Sequence, residues 1–207
     1  MARPITILTV DDHPVLRDGL AAVLELQPDM TLVGEAANGE DGVAAWRRLR
    51  PDVTLMDLQM PGAGGLAAIS AIRAEDPHAR IVVLTTYSGD VQALRALKAG
   101  AAGFLLKSSL RRELLDAIRA VHAGRRHVPS EVAGEIALHA ADDQLTEREV
   151  AVLSRVAAGE ANKEIARTLG VTEDTIKAHL KSVFAKLDVA DRTHAVTVAA
   201  RRGIITL

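Results

Sequence analysis

The sequence predicts a parallel α/β domain followed by a small all-α domain. Short β-branched runs alternate with helical stretches over the first half, and this pattern stops near Gly124. Apolar residues at helical spacing then take over, and all seven prolines lie at or before Pro129. The 207 residues, 48% of them hydrophobic, are enough for two modest domains, each with its own core.

The first half contains five predicted strands. They are Ile5–Val10, Thr31–Glu35, Val53–Leu58, Arg80–Thr86 and Gly103–Lys107. Strands that alternate with helical segments are typical of βαβ units, because parallel neighbours need a crossover connection. The nearly continuous apolar runs in the third and fourth strands favour burial on both faces. We therefore expect a doubly wound parallel sheet within residues 1–124.

The second half is expected to be helical. Its apolar spacing predicts helices at about 147–158, 162–169, 173–187 and 192–202, and a shorter one near 130–140. Residues 125–142 mix charges with small residues and are expected to be a linker that carries this short helix. The output domain would then span residues 143–207.

Composition excludes several kinds of chemistry. The chain has no cysteine, so disulfides, thiolate metal sites and cysteine catalysis are excluded. Its 25 Lys+Arg nearly balance its 27 Asp+Glu, so overall charge indicates no partner. The apolar run after the N-terminus is too short for a signal peptide or a membrane span, and we expect a cytoplasmic protein with no membrane partner.

Three carboxylates are expected at one edge of the sheet. Asp11 and Asp12 follow the first strand, and Asp57 lies at the end of the third. Ligands bind beyond the carboxyl ends of parallel strands where strand order reverses, so these carboxylates converge if the first and third strands are neighbours. Three like charges that close need a cation, and Mg²⁺ with oxygen ligands fits. The alternative for an Asp-Asp pair is a surface turn or helix cap, which the helix start at His13-Pro14 disfavours.

Two more polar residues end the later strands. Thr85 follows the fourth apolar run and Lys107 follows the fifth. A lysine alone is more often a surface residue, but together with three carboxylates and a hydroxyl it completes a phosphoryl site. The carboxylate attacks, the cations neutralise the transferred oxygens, and the hydroxyl donates a hydrogen bond.

Four segments carry a family resemblance. They are Val10–Pro14, Met56–Gly62, Leu84–Tyr87 and Gly103–Lys107, and together they resemble the receiver domains of two-component response regulators over about residues 4–123. The resemblance implies a flavodoxin-like fold with Asp57 as the phosphoacceptor and a sensor histidine kinase as the donor.

The same resemblance implies roles for the other residues. Asp11, Asp12, Asp57 and the backbone carbonyl of Gln59 would hold Mg²⁺. Thr85 and Lys107 would contact the phosphoryl group, and Phe104 would be an aromatic switch that turns inward after phosphorylation. The family often has proline after the lysine; Ser108 stands there in this chain, which leaves the isomer of the Lys107–Ser108 bond open.

The second half contains the pattern of a helix-turn-helix. Thr146 and Glu149 form a predicted capping box, Asn162 is expected to cap the next helix, and Gly170 suits that helix's left-handed end. Thr172 then starts a longer helix two residues later. Its expected buried stripe is Ile176, Leu180, Val183, Phe184 and Leu187.

The opposite side of that longer helix is basic. Lys177, Ala178 and Lys181 lie near its N-terminal end, which enters the major groove in such motifs. Residues 175–207 carry six Lys or Arg against two Asp, a net charge of +4. A solvated helix surface would have the same composition, so charge alone leaves both interpretations open.

Residues from about 143 to 207 resemble the LuxR-type DNA-binding domain. The segments that carry this resemblance are Leu145–Val150, Ala161–Ala166, Val171-Thr172 and Thr175–Leu180. Joined to a receiver, they imply the NarL/FixJ family of response regulators, which would bind double-stranded promoter DNA as a homodimer. By this resemblance Lys177, Ala178 and Lys181 would face bases, and Lys163, Thr175 and Arg192 would bind phosphates. The last helix would form the dimer contact, unless its apolar residues Ala195, Val196, Val198 and Ala199 belong to the domain core.

Three other functions fit less well. Aspartate-based phosphatases carry a second Asp two residues after the nucleophile, and this chain has Gln59 there. Readers of single-stranded RNA use aromatic stacking platforms, and Phe184 is the only aromatic residue after Phe104. A regulator independent of phosphorylation usually has a degraded pocket, whereas all five pocket positions are present here.

Overall fold

The computed structural model describes residues 3–62, 64–86, 90–138 and 145–205. These residues form two compact units, the first made of residues 3–62, 64–86 and 93–131 and the second of residues 90–92, 132–138 and 145–205. Some of the predictions above concern residues outside the described part. These residues are Tyr87, the end of the helix near 130–140, residues 139–142 of the linker and the first two residues of the output domain. Among the described helices, none is long and apolar enough to cross a membrane.

The first unit is built on one parallel sheet. Its strands are β1 (Ile5–Val10), β2 (Met30–Ala36), β3 (Val53–Asp57), β4 (Ile81–Thr85) and β5 (Gly103–Leu106). Their order is β2-β1-β3-β4-β5 and every pairing is parallel. The five predicted strands are therefore confirmed, with ends that differ by at most one residue, and the fold is flavodoxin-like.

Helices connect the strands. They are α1 (Pro14–Glu25), α2 (Gly39–Leu49), α3 (Gly64–Glu75), α4 (Asp90–Lys98) and α5 (Leu110–His122), followed by the linker helix α6 (Ser130–Leu138). On one face of the sheet, Leu20 and Leu24 of α1 and Leu114 and Ile118 of α5 pack in one apolar cluster with strand residues. The Lys107–Ser108 bond, whose isomer the sequence left open, is trans.

The register of the sheet positions the acidic pocket. β1 lies between β2 and β3, and Val10 pairs with Met56. The residues that follow these partners, Asp11 and Asp57, therefore emerge side by side at the carboxyl edge. Chain order reverses between β1 and β3, so this edge is the switch point where parallel sheets bind ligands.

The second unit contains four helices in its C-terminal part. They are α7 (Glu147–Ala157), α8 (Asn162–Leu169), α9 (Glu173–Leu187) and α10 (Arg192–Arg201). The capping box of α7 is present, Gly170 ends α8 at φ 66°, and the Thr172 hydroxyl accepts the Thr175 N–H at 3.2 Å. These local predictions are confirmed.

The prediction that Asn162 caps α8 is wrong. The Glu164 carboxylate accepts the Ala161 N–H at 2.8 Å, so the helix begins one residue earlier and Asn162 is its first residue. The helix therefore has only the carboxylate half of a capping box, because Ala161 has no side-chain acceptor.

The stripe of α9 is buried as expected. Ile176, Leu180, Val183 and Leu187 are buried, while Phe184 is partly exposed and packs against the cluster. On α10, Ala195 and Ala199 are fully buried and Val196 and Val198 are partly buried. The apolar side of α10 thus belongs mainly to the core, and its exposed side carries Thr193, His194 and Thr197.

Candidate functional site

The structure brings the three predicted carboxylates together. Asp11 and Asp57 are fully buried and Asp12 is partly exposed. One ligand atom from each of them, and one from His13, all lie within 4.8 Å of one another. Burial raises the pKa of the Asp57 carboxyl, the nearby Asp11 raises it further, and hydrogen bonds from Lys107 and the Gln59 N–H oppose the rise.

Lys107 bridges two of these carboxylates. Its Nζ lies 2.7 Å from Asp57 Oδ2 and 2.8 Å from Asp11 Oδ2, and only 12% of its side chain is exposed. Burial by itself would lower the pKa of Lys107, but its hydrogen bonds to Asp11 and Asp57 outweigh burial and raise that pKa. One ammonium thus faces at least two buried carboxylates, which leaves the pocket with excess negative charge.

A glycine allows α3 to approach the backbone of Asp57. A Cβ atom added at Gly65 would overlap the Asp57 carbonyl and lie 2.9 Å from Leu58 Cα. Both neighbours are backbone atoms, so a side chain could be admitted only by displacing the end of β3. The Gly65 N–H donates to the Leu58 carbonyl at 3.3 Å, which fixes the loop after Asp57 to the start of α3.

Thr85 and Phe104 lie on the neighbouring strands. Thr85 ends β4, is fully buried, and its carbonyl accepts the Lys107 N–H at 2.7 Å. Phe104 pairs with Val83 and is also fully buried. Phe104 therefore already has the inward position that was expected of it after phosphorylation.

Gln59 lies on the loop after β3. Its N–H donates to Asp57 Oδ1 at 3.0 Å, and its side-chain carbonyl accepts a hydrogen bond from Thr86 Oγ1 at 3.0 Å. These two bonds hold the loop against the ends of β3 and β4, which orients the Asp57 carboxylate.

Two residues at the N-terminal end of α1 contact the pocket, and the sequence did not predict their contacts. His13 Nδ1 lies 3.1 Å from Asp11 Oδ1, where a hydrogen on that nitrogen can be donated, and it lies 2.8 Å from Asp12 Oδ1. Arg17 donates to the Asp11 carbonyl at 2.7 Å. The available signal was position alone, since both follow the Asp-Asp pair within one helical turn.

The donor set fits a hard divalent cation. Asp11, Asp12 and Asp57 offer carboxylate oxygens at close range, and Mg²⁺ takes oxygen ligands and usually keeps several waters. Burial of two of these carboxylates makes a second positive charge beside Lys107 favourable.

The second unit presents a basic surface at α9. Lys177, Ala178 and Lys181 are exposed, as predicted. A groove of about 470 Å³ brings Lys177 and Lys181 together with Arg192 over an apolar floor, and the residues that line it are Asn162, Lys177, Leu180, Lys181, Phe184, Ala190, Asp191 and Arg192. Lys177 is paired on its own helix with Asp174 at 3.2 Å and with Glu173 at 3.6 Å.

The three residues predicted to bind phosphates are placed differently. Lys163 is exposed near the start of α8, and Arg192 is exposed at the start of α10, where it donates to the Glu160 carbonyl at 3.1 Å. Thr175 is partly buried, and its hydroxyl lies 2.8 Å from the Thr172 hydroxyl. Of these three, only Arg192 lines the groove.

A buried carboxylate supports this surface from behind. Glu149 of α7 is 4% exposed and accepts hydrogen bonds from Thr146, from Ser182 at 2.7 Å and from Lys186 at 2.9 Å. Burial opposes ionisation, but the bonds from Lys186, Ser182 and Thr146 outweigh it and lower the pKa of Glu149 to about 2. The network joins α7 to α9 and so fixes the orientation of the basic helix.

The fold and the two sites define a class of protein: a receiver-type α/β domain joined to a helix-turn-helix domain. The response regulator receiver domain family matches residues 7–119, and the LuxR family of bacterial regulatory proteins matches residues 143–199. The chain therefore belongs to the NarL/FixJ family of two-component response regulators, whose members regulate transcription.

Curated relatives match over nearly their whole length. The transcriptional regulatory protein LiaR of Bacillus subtilis is 41% identical over 97% of this chain and 99% of its own. The nitrate/nitrite response regulator protein NarL of Escherichia coli is 40% identical over 93% of each chain. A solved structure of two RcsB dimers bound to two parallel DNAs is similar at a TM-score of 0.71, with 26% identity over 96% of this chain and 99% of that one.

Proposed function

We propose that this chain receives a phosphoryl group on Asp57 from a sensor histidine kinase and then binds promoter DNA as a dimer. The receiver would span residues 1–124, the linker 125–142 and the DNA-binding domain 143–207. The observation that carries the proposal is the position of Lys107, whose ammonium bridges buried Asp57 and Asp11 at the switch point of the sheet.

Phosphoryl transfer follows from these contacts. A carboxylate oxygen of Asp57 attacks phosphorus, the bond from phosphorus to the donor nitrogen breaks, and the donor histidine regains its electron pair. Lys107 neutralises oxygens of the transferred group, and the Thr85 hydroxyl donates to one of them. Since no second Asp stands two residues after Asp57, we propose stoichiometric self-phosphorylation and slow hydrolysis instead of catalytic turnover.

Asp11, Asp12, Asp57 and the carbonyl of Gln59 would hold Mg²⁺ in this pocket. The ion would supply positive charge to the oxygens of the incoming phosphoryl group. His13 would orient the Asp11 carboxylate, which accepts a hydrogen bond from the His13 backbone N–H at 2.9 Å and lies 3.1 Å from Nδ1 of its ring.

The DNA contacts follow from exposure and charge. We propose that α9 enters the major groove with Lys177 and Lys181 at guanine acceptors and Ala178 at a thymine methyl group. Lys163, Thr175 and Arg192 would contact phosphates beside the groove. The exposed side of α10 would provide the contact between two DNA-bound copies. Because the proposed ligand is promoter DNA, the proposed location is the cytoplasm.

The test of the phosphoacceptor uses the full-length protein. Incubated with Mg²⁺ and acetyl phosphate, it should gain one acid-stable, hydroxylamine-labile phosphoryl group. Asp57→Asn should prevent labelling, and Asp12→Ala should weaken Mg²⁺ binding measured by calorimetry. Asp116→Asn makes the same charge change at a side chain that is 83% exposed, and it should label normally. Normal labelling of Asp57→Asn would refute the assignment.

The same reaction separates the regulator from an enzyme. Rapid multiple turnover of phosphomonoesters by the wild-type protein would favour a phosphatase, whereas a single labelling event per chain favours the regulator.

A further inference from the structure

β5 is one of the two edge strands of the sheet, yet its outer side is partly covered by the linker. The Phe104 N–H donates to the His127 carbonyl at 2.7 Å, and the His127 N–H donates to the Ala102 carbonyl at 3.2 Å. Together these bonds make an isolated parallel bridge between Gly103 and His127. An edge strand otherwise presents unpaired N–H and carbonyl groups, and here the chain that leads to the output domain occupies them.

The sequence limits this pairing to a single residue. Parallel pairing would continue with a bond from the N–H of residue 129 to the Phe104 carbonyl, but Pro129 has no N–H. Before the bridge, the Arg125 N–H is still bonded to the end of α5, at the Ala120 carbonyl. The His127 side chain adds little, because its Nε2 lies 3.8 Å from Glu113 Oε2, beyond hydrogen-bond distance.

Of the two backbone pairings of β5, the bridge to His127 is therefore weaker than the ladder to β4. On its inner side β5 pairs with β4 over four residue pairs, and the Lys107 N–H extends this ladder to the Thr85 carbonyl. On its outer side two backbone hydrogen bonds hold it. Two such bonds change an equilibrium by a factor of roughly 5 to 150, which is the range of a typical allosteric coupling.

We propose that this bridge is a latch that holds the linker while Lys107 bridges Asp11 and Asp57, and that it opens when Asp57 is phosphorylated. The inference rests on the proposed function of the pocket. Lys107 Nζ now bridges Asp11 and Asp57, and a phosphoryl group placed between them would require the lysine to move. Because β4 and β5 are joined by the longer ladder, they move together, and the strain is relieved at the two-bond bridge beside Phe104.

The latch is tested by removing one N–H donor from the full-length protein. His127→Pro deletes the bond to the Ala102 carbonyl. His127→Ala keeps the N–H and removes the ring, and Val128→Pro places proline in the same segment at an N–H that takes no part in the bridge. The probe is a duplex DNA that beryllofluoride-treated wild-type protein selects from a random library. Dissociation constants are compared with and without beryllofluoride.

Without beryllofluoride, His127→Pro should bind this DNA roughly 2- to 12-fold more tightly than the wild-type protein does, which is the factor for one lost hydrogen bond. Its response to beryllofluoride should be smaller than the wild-type response by the same factor. The two control variants should keep the wild-type response. If His127→Pro keeps it as well, the latch is wrong. If the wild-type protein itself shows no response, the proposed function fails and the latch fails with it, so the two failures are distinguishable.

Hydrogen exchange provides a readout that does not depend on how the proline variant folds. In wild-type protein the Phe104 amide should exchange slowly at rest and at least fivefold faster with beryllofluoride. Unchanged exchange of that amide, in protein whose DNA affinity does respond, would overturn the latch.

Discussion

Glu149 offers a quantitative test of how the DNA-binding surface is held. The variant Glu149→Gln keeps the size of the side chain and removes the charge that pairs with Lys186 at 2.9 Å. The pKa of Glu149 is about 2 in the folded protein against an ordinary 4.5. This difference corresponds to at most about 3 kcal/mol of folding free energy at neutral pH. Since the side chain is 5% exposed, solvent screening reduces the figure little.

The loss of this folding free energy in Glu149→Gln should appear as a change in thermal stability. For a domain of this size we expect the melting temperature of the helical unit to fall by about 10 °C or more, measured by calorimetry on the full-length protein at pH 7. Glu147→Gln is the matched control, because Glu147 lies in the same first turn and is exposed, so its loss should cost less than about 1 kcal/mol. Equal melting temperatures for the two variants would refute the argument.

The contribution of the Glu149 charge to folding stability also has a defined pH dependence. A carboxyl group whose pKa is depressed on folding stabilises the folded state fully above its unfolded pKa, and this contribution is lost as pH falls through the folded pKa. The window for Glu149 therefore runs from about pH 4.5 down to about 2. At pH 3 the difference between wild type and Glu149→Gln should be less than about half of its value at pH 7.

Further predictions concern the receiver and the DNA contacts. Gly65→Ala should lower the melting temperature of the receiver and slow labelling of Asp57, because the added Cβ would overlap the Asp57 backbone. Gly19→Ala is the control: no atom lies within 4 Å of the added Cβ, so this variant should stabilise α1 by about 0.5–1 kcal/mol in the same calorimetry. Lys177→Ala should cost roughly 1–3 kcal/mol of binding free energy at the preferred DNA site and relax specificity there. Lys163→Ala should weaken the binding of all duplexes alike and lower by about one unit the slope of log affinity against log salt concentration, measured in titrations at several salt concentrations. A uniform loss from Lys177→Ala would instead assign it to phosphate contact. Thr85→Ala should still accept phosphate in the labelling assay and yet lose most of the DNA response, and a full response would exclude Thr85 from signal transmission.

The sequence was sufficient for those features that depend on periodicity and on strand ends. Alternating strands and helices predicted the parallel sheet, and the positions of Asp11, Asp57 and Lys107 at the ends of the first, third and fifth strands predicted that they would meet. Their actual contacts follow because the sheet places β1 beside β3. Similarly, the spacing of Thr146 and Glu149 was enough to predict the capping box, because both partners lie within one turn.

The features that were missed depend on tertiary contacts or on competition between local signals. Lys186 lies 37 positions after Glu149, and no local pattern relates them. Asn162 has a strong preference for a helix cap, but Glu164 binds the Ala161 N–H and moves the start of the helix. The His127 bridge uses backbone atoms only, so its one sequence signal is the proline that ends it.

The energy needed for switching indicates where the remaining coupling must come from. Moving an equilibrium from 1:99 to 99:1 requires about 5.5 kcal/mol. In the proposed mechanism, a hydrogen bond from Thr85 to a charged phosphoryl group would contribute about 1.5–3 kcal/mol. Lys107 already has two carboxylate partners. On phosphorylation it would exchange one anion for another, so its net contribution to the switching free energy would be smaller than that of a newly formed ion pair.

Pairing of two copies is therefore expected to supply part of the difference, and this makes the response depend on protein concentration. We expect the gain in DNA affinity on beryllofluoride addition to shrink as the protein is diluted below its dimer dissociation constant, measured by sedimentation. Fluorescently labelled DNA at fixed low concentration allows DNA affinity and dimer dissociation to be followed in one dilution series. A gain that stays constant through complete dissociation of the dimer would mean that contacts within one chain supply the whole switching energy.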